Sequence, residues 1–440
     1  MKKMLAMLLV LVMMMATGAV AFADTEVIVW SAPINTVNYF EALYAMIDRF
    51  NAENPDIEIT VEELNYDGIA EKLESAMMTS STPDIYIDGT ARTAKLPSTG
   101  LTVPVDDVIN ALDGWNEGAL NIGKVEDSYY LVPMTLMPST VLGVNMTLAK
   151  KYGVDHMLPE DHISWDWDQF MAFLEACGEK SLADGVYPTA LYSANQSSDI
   201  AYYTALLSAG VDILNADHTA AAVNTEAAAT VLRNLKTIAD KGLAYPGTAE
   251  MTDDDGIRVF FSGLTVVDWV NNGALSVLPN LQVMKDEGTI AEIPEVSSYA
   301  MPTLNGSKTN IANWGANCIA VFENEGDEEK IAAAKKFLTF MMNDKEYVEA
   351  LWLAAPAYGP SREMGAELKI EDAELLKQAN IYTAFAPYNN SEFGILESYW
   401  GEIRQQFYPN LQSMFLGNKT PEEVVAAFEA GINDVLESNK

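Results

Sequence analysis

The chain has 440 residues, 49% of them hydrophobic, which is enough to bury a large core and to form two domains or lobes. Its 63 acidic and 26 basic residues give a formal charge of −37 at pH 7, which argues against nucleic acid as a partner. Such a charge repels polyanions during diffusional approach and favours neutral or cationic ligands, although a solvated acidic surface explains most of it.

The chain begins with the pattern of a secretory signal peptide, predicted over residues 1–23. Two lysines precede an apolar run, and Ala21 and Ala23 form an A-x-A cleavage pattern. Asp24 stands where a lipid-anchored protein has cysteine, and no later segment is apolar for long enough to span a bilayer. We predict a periplasmic or extracellular protein without a lipid anchor, whose formal charge becomes −39 once the leader's two lysines are removed.

The pattern after the leader alternates strands with helices. We predict strands over 27–30, 57–61 and 84–88, with helices over 39–50 and 69–77 between them. Crossovers in such a β-α-β-α-β order are right-handed and give a parallel sheet. In open parallel sheets, ligands bind beyond the carboxyl ends of the strands.

A second α/β region is predicted from residue 145 onward. Asp166 and Gln169 form a capping box, and the apolar face of the helix that follows includes Phe170 and Cys177. The later predicted elements are strands over 189–192 and 264–267, a helix over 225–241 and an exposed turn at 253–256.

The last third of the sequence predicts one strand region over 311–322 and then mainly helices. A periodic helix covers 328–342, and Thr420 with Glu423 forms a capping box for the last helix. Cys318 and Cys177 both have the spacing of core residues on separate elements. An export address permits a disulfide between them, but function is not expected to depend on it.

Aromatic residues follow predicted strand ends throughout the chain: Trp30, Tyr66, Tyr192, Trp269 and Trp314, joined by the loop residue Tyr358. Aromatic faces suit the C–H surfaces of sugar rings, and a few placed polar groups provide specificity. Asp88, Asp268 and Arg362 would bond the hydroxyl groups. Any one of the aromatics, taken singly, is equally well explained by core packing.

Specific catalytic and metal-binding patterns are absent from the sequence. It contains no G-x-S-x-G elbow, H-E-x-x-H helix, phosphate-binding loop or C-x-x-C pair. An EF-hand spacing that begins at Asn215 has Ala220 where the loop needs glycine. We predict no metal and no cofactor, although the abundant acids leave a glycoside hydrolase open.

A succession of short motifs spans nearly the whole chain after the leader. In order they are 42–56 (ALYAMIDRFNAENPD), 82–89 (TPDIYIDG), 129–133 (YYLVP), 164–170 (SWDWDQF), 260–263 (FFSG), 313–321 (NWGANCIAV), 335–342 (KKFLTFMM) and 359–362 (GPSR). This succession resembles the family 1 extracellular solute-binding proteins, the maltose-binding-protein-like group that serves sugar importers of the ATP-binding-cassette (ABC) type.

The resemblance implies an α/β fold of the periplasmic-binding-protein-like II type, with two lobes, a hinge crossed more than once and a ligand cleft between the lobes. It implies one lobe from residues 24–144 and 299–343, and another from 145–298 and 344–440. By position it assigns the first lobe's wall to Trp30, Tyr66 and Asp88, the second lobe's wall to Tyr192, Asp268 and Trp269, and the cleft floor to Trp314, Tyr358 and Arg362.

The function implied is that of a non-catalytic, monomeric capture protein. It would bind a mono- or oligosaccharide and deliver it to the transmembrane subunits of an ABC permease. Two alternatives stay open at this point: a secreted polysaccharide-degrading enzyme, and a binding protein whose closed form acts on a membrane sensor.

Overall fold

The structure is a computed structural model that describes residues 25–34, 39–65, 68–115, 117–136, 140–269, 273–304, 306–354, 359–362, 371–390, 393–395, 397 and 399–439. The predicted signal peptide and two predicted site residues, Tyr66 and Tyr358, lie outside these residues. Among the helices that the structure describes, none combines the length and apolarity needed to cross a membrane.

The described strands, numbered in chain order, are β1 Thr25–Ser31, β2 Ile57–Glu63, β3 Ile85–Gly89, β4 Lys124–Val125, β5 Ser128–Tyr129, β6 Leu131–Leu136, β7 Leu142–Asn145, β8 Tyr187–Thr189, β9 Thr265–Asp268, β10 Val296–Tyr299, β11 Ile311–Ala312, β12 Ala316–Val321, β13 Gly359–Pro360 and β14 Asn389–Asn390.

The described α-helices are α1 Tyr39–Glu53, α2 Ile69–Thr79, α3 Thr90–Thr93, α4 Asp106–Asn110, α5 Glu117–Ile122, α6 Met146–Lys151, α7 Trp167–Ser181, α8 Asp199–Ser208, α9 Glu226–Asp240, α10 Asp253–Phe261, α11 Gly273–Asp286, α12 Glu328–Asn343, α13 Lys345–Ala354, α14 Ala373–Thr383, α15 Trp400–Arg404, α16 Tyr408–Phe415 and α17 Pro421–Ser438.

The first sheet has the order β13-β6-β12-β3-β1-β2 within the described residues. β1 pairs in parallel with both β2 and β3, which confirms the predicted β-α-β-α-β arrangement. β12 runs antiparallel between β3 and β6. β3, inside the sheet, is buried at every residue, whereas the edge strand β2 has exposed residues along its length.

The core of the first sheet follows from helical periodicity. α1 buries Leu43, Ile47 and Phe50 at spacings of four and three residues, which places them on one face. The Phe50 ring meets the Phe337 ring of α12 edge-on, with centroids 5.1 Å apart. On the opposite face of the sheet, Leu73 of α2 packs in one cluster with Trp30 and Tyr86.

The second sheet has the order β10-β7-β9-β8 in the described part of the chain. β8 and β9 are parallel, whereas β7 is antiparallel to both β9 and β10. The predicted capping box of Asp166 and Gln169 starts α7, whose buried face includes Phe170 and Cys177 as expected. Cys177 and Cys318 are both buried free thiols, which confirms them as core residues.

Several boundaries differ from the sequence-based prediction. β7 lies wholly in the second sheet, although residues up to 144 were assigned to the first lobe. β13 pairs with β6 and α13 packs on α1, so residues 345–354 and 359–360 lie with the first sheet. Local periodicity predicts a strand but does not say which sheet it joins.

Two local predictions are also wrong. Residues 190–192 are buried but irregular, because an apolar run reports burial and only indirectly secondary structure. Residues 253–256 are not an exposed turn but the first turn of α10. Thr252 caps this turn through a capping box with Asp255. The sequence hid this cap, because an aspartate takes the place of the usual Glu or Gln.

Candidate ligand-binding site

The two sheets come together at a contact between two short helices. α3 begins directly at the carboxyl end of β3 and contacts α15, which packs in the core of the second sheet. Ala91 of α3 also packs against that core. Four charged residues occupy this contact, which we call the junction: Asp88, Arg92, Asp199 and Arg404.

Asp88 and Arg92 form the first-sheet side of the junction. Asp88 is 1% exposed and accepts hydrogen bonds from the Tyr86 hydroxyl, the Gly89 N–H at 2.7 Å and the Arg92 guanidinium. Tyr86 and Asp88 share one face because side chains alternate along a strand. Arg92 reaches the carboxylate because it lies four residues further on, one turn into α3.

Asp199 and Arg404 form the second-sheet side. Nε and Nη2 of Arg404 each donate to one Asp199 oxygen at 2.8 Å, and both residues are buried. Burial raises the pKa of Asp199, and the charge of Arg404 counteracts this effect. Burial alone would lower the pKa of Arg404, but Asp199 outweighs it and raises that pKa. The two parallel hydrogen bonds fix the geometry of the pair.

The junction is extended by Trp314, one of the predicted site residues. Cζ of Arg404 lies 5.5 Å from the centroid of the Trp314 ring, within cation–π range. The Trp314 indole N–H donates to Thr140 Oγ1 at 2.8 Å. The positive charge of Arg92 acts against the rise in the pKa of Arg404 that Asp199 causes, and each arginine keeps its own aspartate.

A second group, the Tyr192 cluster, consists of Tyr192, Asn195, Asp253 and Asp268 at the carboxyl ends of β8 and β9. Tyr192 is 3% exposed, and its ring covers Gly256 so closely that a Cβ there would lie 2.6 Å from ring carbons. Burial and then the charges of Asp268 and Asp253 raise the pKa of Tyr192. Asn195 Nδ2 donates to Asp253 Oδ1 at 2.7 Å, which leaves the cluster rich in oxygen acceptors.

Three predicted site residues lie apart from these groups. The Lys72 ammonium is 4.2 Å from the centroid of Trp30, which packs under α2. Trp269 is 1% exposed and packs in the core of the second sheet with Trp167 and Phe170.

Arg362 is the third of these. It donates from Nε to the Asp113 carbonyl at 2.8 Å and from Nη1 to the Met342 carbonyl. Its guanidinium carbon also lies 5.7 Å from the centroid of the Trp115 ring. These contacts place it near the end of α12 on the first sheet.

Sequence reasoning missed Arg92, Asn195, Asp199, Asp253 and Arg404. The chain has 63 acidic residues, so the sequence does not distinguish the two aspartates from the other acids. It has only 26 basic residues, so fewer candidates compete with the two arginines. Arg92 stands four residues after an aspartate at a strand end, which is a pattern that could have been noticed. Nothing local marks Arg404, whose partner lies 205 positions away.

The junction and the Tyr192 cluster together present guanidinium donors, carboxylate acceptors and two aromatic rings. Asp88 and Asp268 lie at strand ends, whereas Asp199 and Arg404 lie on helices. No group of three or more His, Cys, Asp or Glu side chains suited to a metal ion occurs among the described residues. The charged pairs satisfy each other, as buried or half-buried charges must.

The family model for bacterial extracellular solute-binding proteins matches residues 45–378 of this chain. That match covers most of the sequence, and the chain belongs to this family. A protein of Brucella abortus (strain 2308) that is described as a binding protein is 24% identical over 406 residues, which are 90% of each chain.

Solved structures show the same fold. An ABC substrate-binding protein from Listeria monocytogenes, in complex with cycloalternan, has a TM-score of 0.74 at 19% identity and covers 94% of this chain and 99% of its own. An ABC transporter solute-binding protein from Thermotoga lettingae, bound with α-D-tagatose, has a TM-score of 0.76 at 15% identity and covers 94% and 100%. The predicted two-lobed fold is confirmed, with the two sheets as the centres of the lobes.

Proposed function

We propose that this solute-binding protein captures a carbohydrate, either a mono- or an oligosaccharide, between its two lobes. The observation that carries the proposal is the junction, where each lobe supplies a fixed arginine–aspartate pair and Arg404 of the second pair lies over the Trp314 ring. A sugar offers hydroxyl groups that both donate and accept, together with C–H faces that pack on rings. The carbohydrates bound to the Listeria and Thermotoga proteins support the same class of ligand.

The charge balance at the junction favours a neutral ligand. Each guanidinium is already paired with a carboxylate, so neither arginine requires an anion from the ligand. The Tyr192 cluster adds two further carboxylates, and the chain as a whole is strongly acidic. An anionic solute would therefore gain little at the arginines and would be repelled on approach.

In the proposal, the ligand contacts are Asp88, Tyr192 and Asp268 from the original set, with Arg92 and Arg404 added. Trp30, Trp269, Trp314 and Arg362 would need a rearrangement of their present contacts to meet the ligand. Tyr66 and Tyr358 remain proposed contacts from the sequence alone.

Isothermal titration calorimetry with a panel of mono- and oligosaccharides tests the proposal. We expect one sugar class to release heat with the wild-type protein, and Arg92→Met, which leaves the buried Asp199–Arg404 pair intact, to weaken its binding. Arg233→Met is the matched control, since Arg233 forms an exposed ion pair with Glu226 on α9. Silence across all sugars, with heat from a peptide or a polyamine, would overturn the carbohydrate assignment.

We further propose that the closed, loaded form delivers its ligand to an ABC permease. The relatives from Listeria and Thermotoga are described as ABC binding proteins, which supports this partner. Stimulation of ATP hydrolysis by the reconstituted permease, dependent on loaded protein, is the expected result. Release of products from oligosaccharides by the purified protein would instead identify an enzyme, and signalling through a membrane sensor without transport would identify the third alternative.

A further inference from the structure

The chain passes between the two lobes at two places that the structure partly describes. Residues 140–141 lead into β7 of the second lobe, and β6 of the first lobe is the strand before them in the chain. Residues 313–315 lead from β11, which pairs with β14, into β12 of the first lobe. We call these segments the first and second crossings. Any change in the angle between the lobes must be absorbed at such crossings.

Two hydrogen bonds tie the crossings to each other. The Trp314 indole N–H of the second crossing donates to Thr140 Oγ1 of the first at 2.8 Å. The Thr140 backbone N–H donates to the Ala312 carbonyl at 2.8 Å. Thr140 is fully buried and Trp314 is 7% exposed, so water does not compete strongly for the side-chain bond.

Trp314 is held by the second lobe. Its ring packs edge-on against Phe393, with centroids 5.7 Å apart, and lies 6.3 Å from the Tyr203 ring of α8. The Arg404 guanidinium, fixed by Asp199, lies over the same ring. These contacts leave little of the indole for a ligand and anchor it in the core of the second lobe.

The next residues are held by the first lobe. Gly315 has a φ of 80°, and a Cβ at this position would lie 2.7 Å from Thr90 Oγ1 of α3. The Thr90 hydroxyl donates to the Ala316 carbonyl at 2.7 Å. The anchor therefore changes from one lobe to the other between Trp314 and Gly315, where only glycine fits the backbone.

We propose that Trp314 is a positioning residue of the hinge, whose bond to Thr140 makes the two crossings move as one unit. This role differs from that of a ring on which a sugar stacks, and it does not depend on the identity of the ligand. It predicts that Thr140 matters as much as Trp314, although Thr140 has no side-chain group beyond one hydroxyl and one methyl.

The test is a distance measurement between the lobes of the ligand-free protein. Met78→Cys on α2 and Leu416→Cys after α16 carry spin labels, since these residues are 81% and 55% exposed, whereas both native cysteines are buried. Pulsed electron spin resonance then gives the distribution of interlobe distances. The test variants are Thr140→Val, Trp314→Phe and the two combined.

Thr265→Val is the matched control, because Thr265 is a buried threonine of β9 whose hydroxyl has no hydrogen-bond partner among the described residues. We expect a single narrow distance in the parent and in the control. Thr140→Val and Trp314→Phe should each broaden the distribution, and the combined variant should be no broader than either one, because both remove the same bond.

An unchanged distribution in Thr140→Val would overturn the proposal, and so would additive broadening in the combined variant. Thermal unfolding of each variant shows whether it is folded. If Trp314→Phe does not fold, the near-isosteric Thr140→Val still tests the proposal. Because no ligand is added, failure here is separate from failure of the proposed carbohydrate function.

Discussion

The Asp199–Arg404 pair is the most thoroughly buried ion pair among the described residues, with side chains 0% and 8% exposed. Its two charges have lost their water and depend on each other for compensation. Removal of one partner leaves the other as an unpaired charge in a low-dielectric site. The free energy of unfolding that is lost in this way is larger than the net stabilisation that the pair provides.

We expect Asp199→Asn to lower the free energy of unfolding by about 3–5 kcal/mol, because Arg404 is left buried without a counter-charge. Urea denaturation measures this loss. Asp240→Asn is the control, since Asp240 pairs with Lys236 on the exposed face of α9 and should cost about 1 kcal/mol or less. Equal losses in the two variants would show that burial does not set the cost.

Trp269 illustrates a limit of prediction at the scale of one residue. Its position directly after β9 was read correctly, but position along the chain does not determine where a side chain points. Its indole N–H donates to Thr189 Oγ1 at 2.7 Å and its ring lies among aromatic rings of the core.

Trp269→Ala should therefore lower the free energy of unfolding by about 3–5 kcal/mol through the cavity it leaves. Trp269→Phe fills part of that cavity and should cost less. Denaturation curves of both variants, with calorimetry on any protein that remains folded, separate stability from ligand affinity. A stable Trp269→Ala variant that fails to bind sugar would restore the predicted ligand contact.

At the scale of elements, the parts that could be predicted are those with local causes. The capping boxes at Asp166 and Thr420 were predicted and are present, because all the interacting groups lie within four residues. The predicted strand 311–322 is interrupted at residues 313–315, where Trp314 bonds a residue 174 positions away. Local periodicity contains no trace of such a partner.

The ion pair between Arg49 of α1 and Asp344, which precedes α13, makes the free energy of unfolding depend on pH. Burial alone would raise the pKa of Asp344, but the Arg49 fork and the Tyr347 backbone N–H outweigh it and lower that pKa. A carboxyl whose pKa is lower in the folded state contributes stability above its unfolded pKa and loses it as the pH falls through the folded value.

Asp344→Asn should consequently destabilise the protein at neutral pH and make little difference in acid, where the wild-type carboxyl is protonated too. Urea denaturation from pH 7 down to about 3 measures the gap between the two proteins, which should close below the usual pKa of aspartate near 4. A gap that stays constant with pH would mean that Asp344 acts through shape alone.

At the scale of the whole molecule, composition bears more directly on the class of partner than on the position of the site. The charge of −37 disfavours nucleic acid and anionic solutes, and family membership agrees with export. The lobe boundaries were less accessible, since β6 and β7 are adjacent in sequence but belong to different sheets. Which strands pair across long sequence separations depends on the whole folded chain, so the sequence of one segment does not predict it.

The proposed neutral ligand implies weak dependence on salt. Between about 50 and 500 mM sodium chloride we expect the dissociation constant for the bound sugar to change by less than about twofold, because screening acts on charges and the ligand has none. Calorimetry at the two salt concentrations measures this. A cationic ligand would bind distinctly more weakly at high salt, and an anionic one more tightly.

The place of β12 affects how the protein is made. It lies between β3 and β6, yet it is synthesised about 180 residues after β6, so the first sheet has a gap in its middle until most of the chain exists. β3 and β6 cannot both pair with β12 until it has been synthesised, and pairing between strands so far apart in the sequence is slow. A chain that crosses a membrane unfolded would benefit from this order, because its first sheet keeps this gap until nearly three quarters of the sequence has left the ribosome.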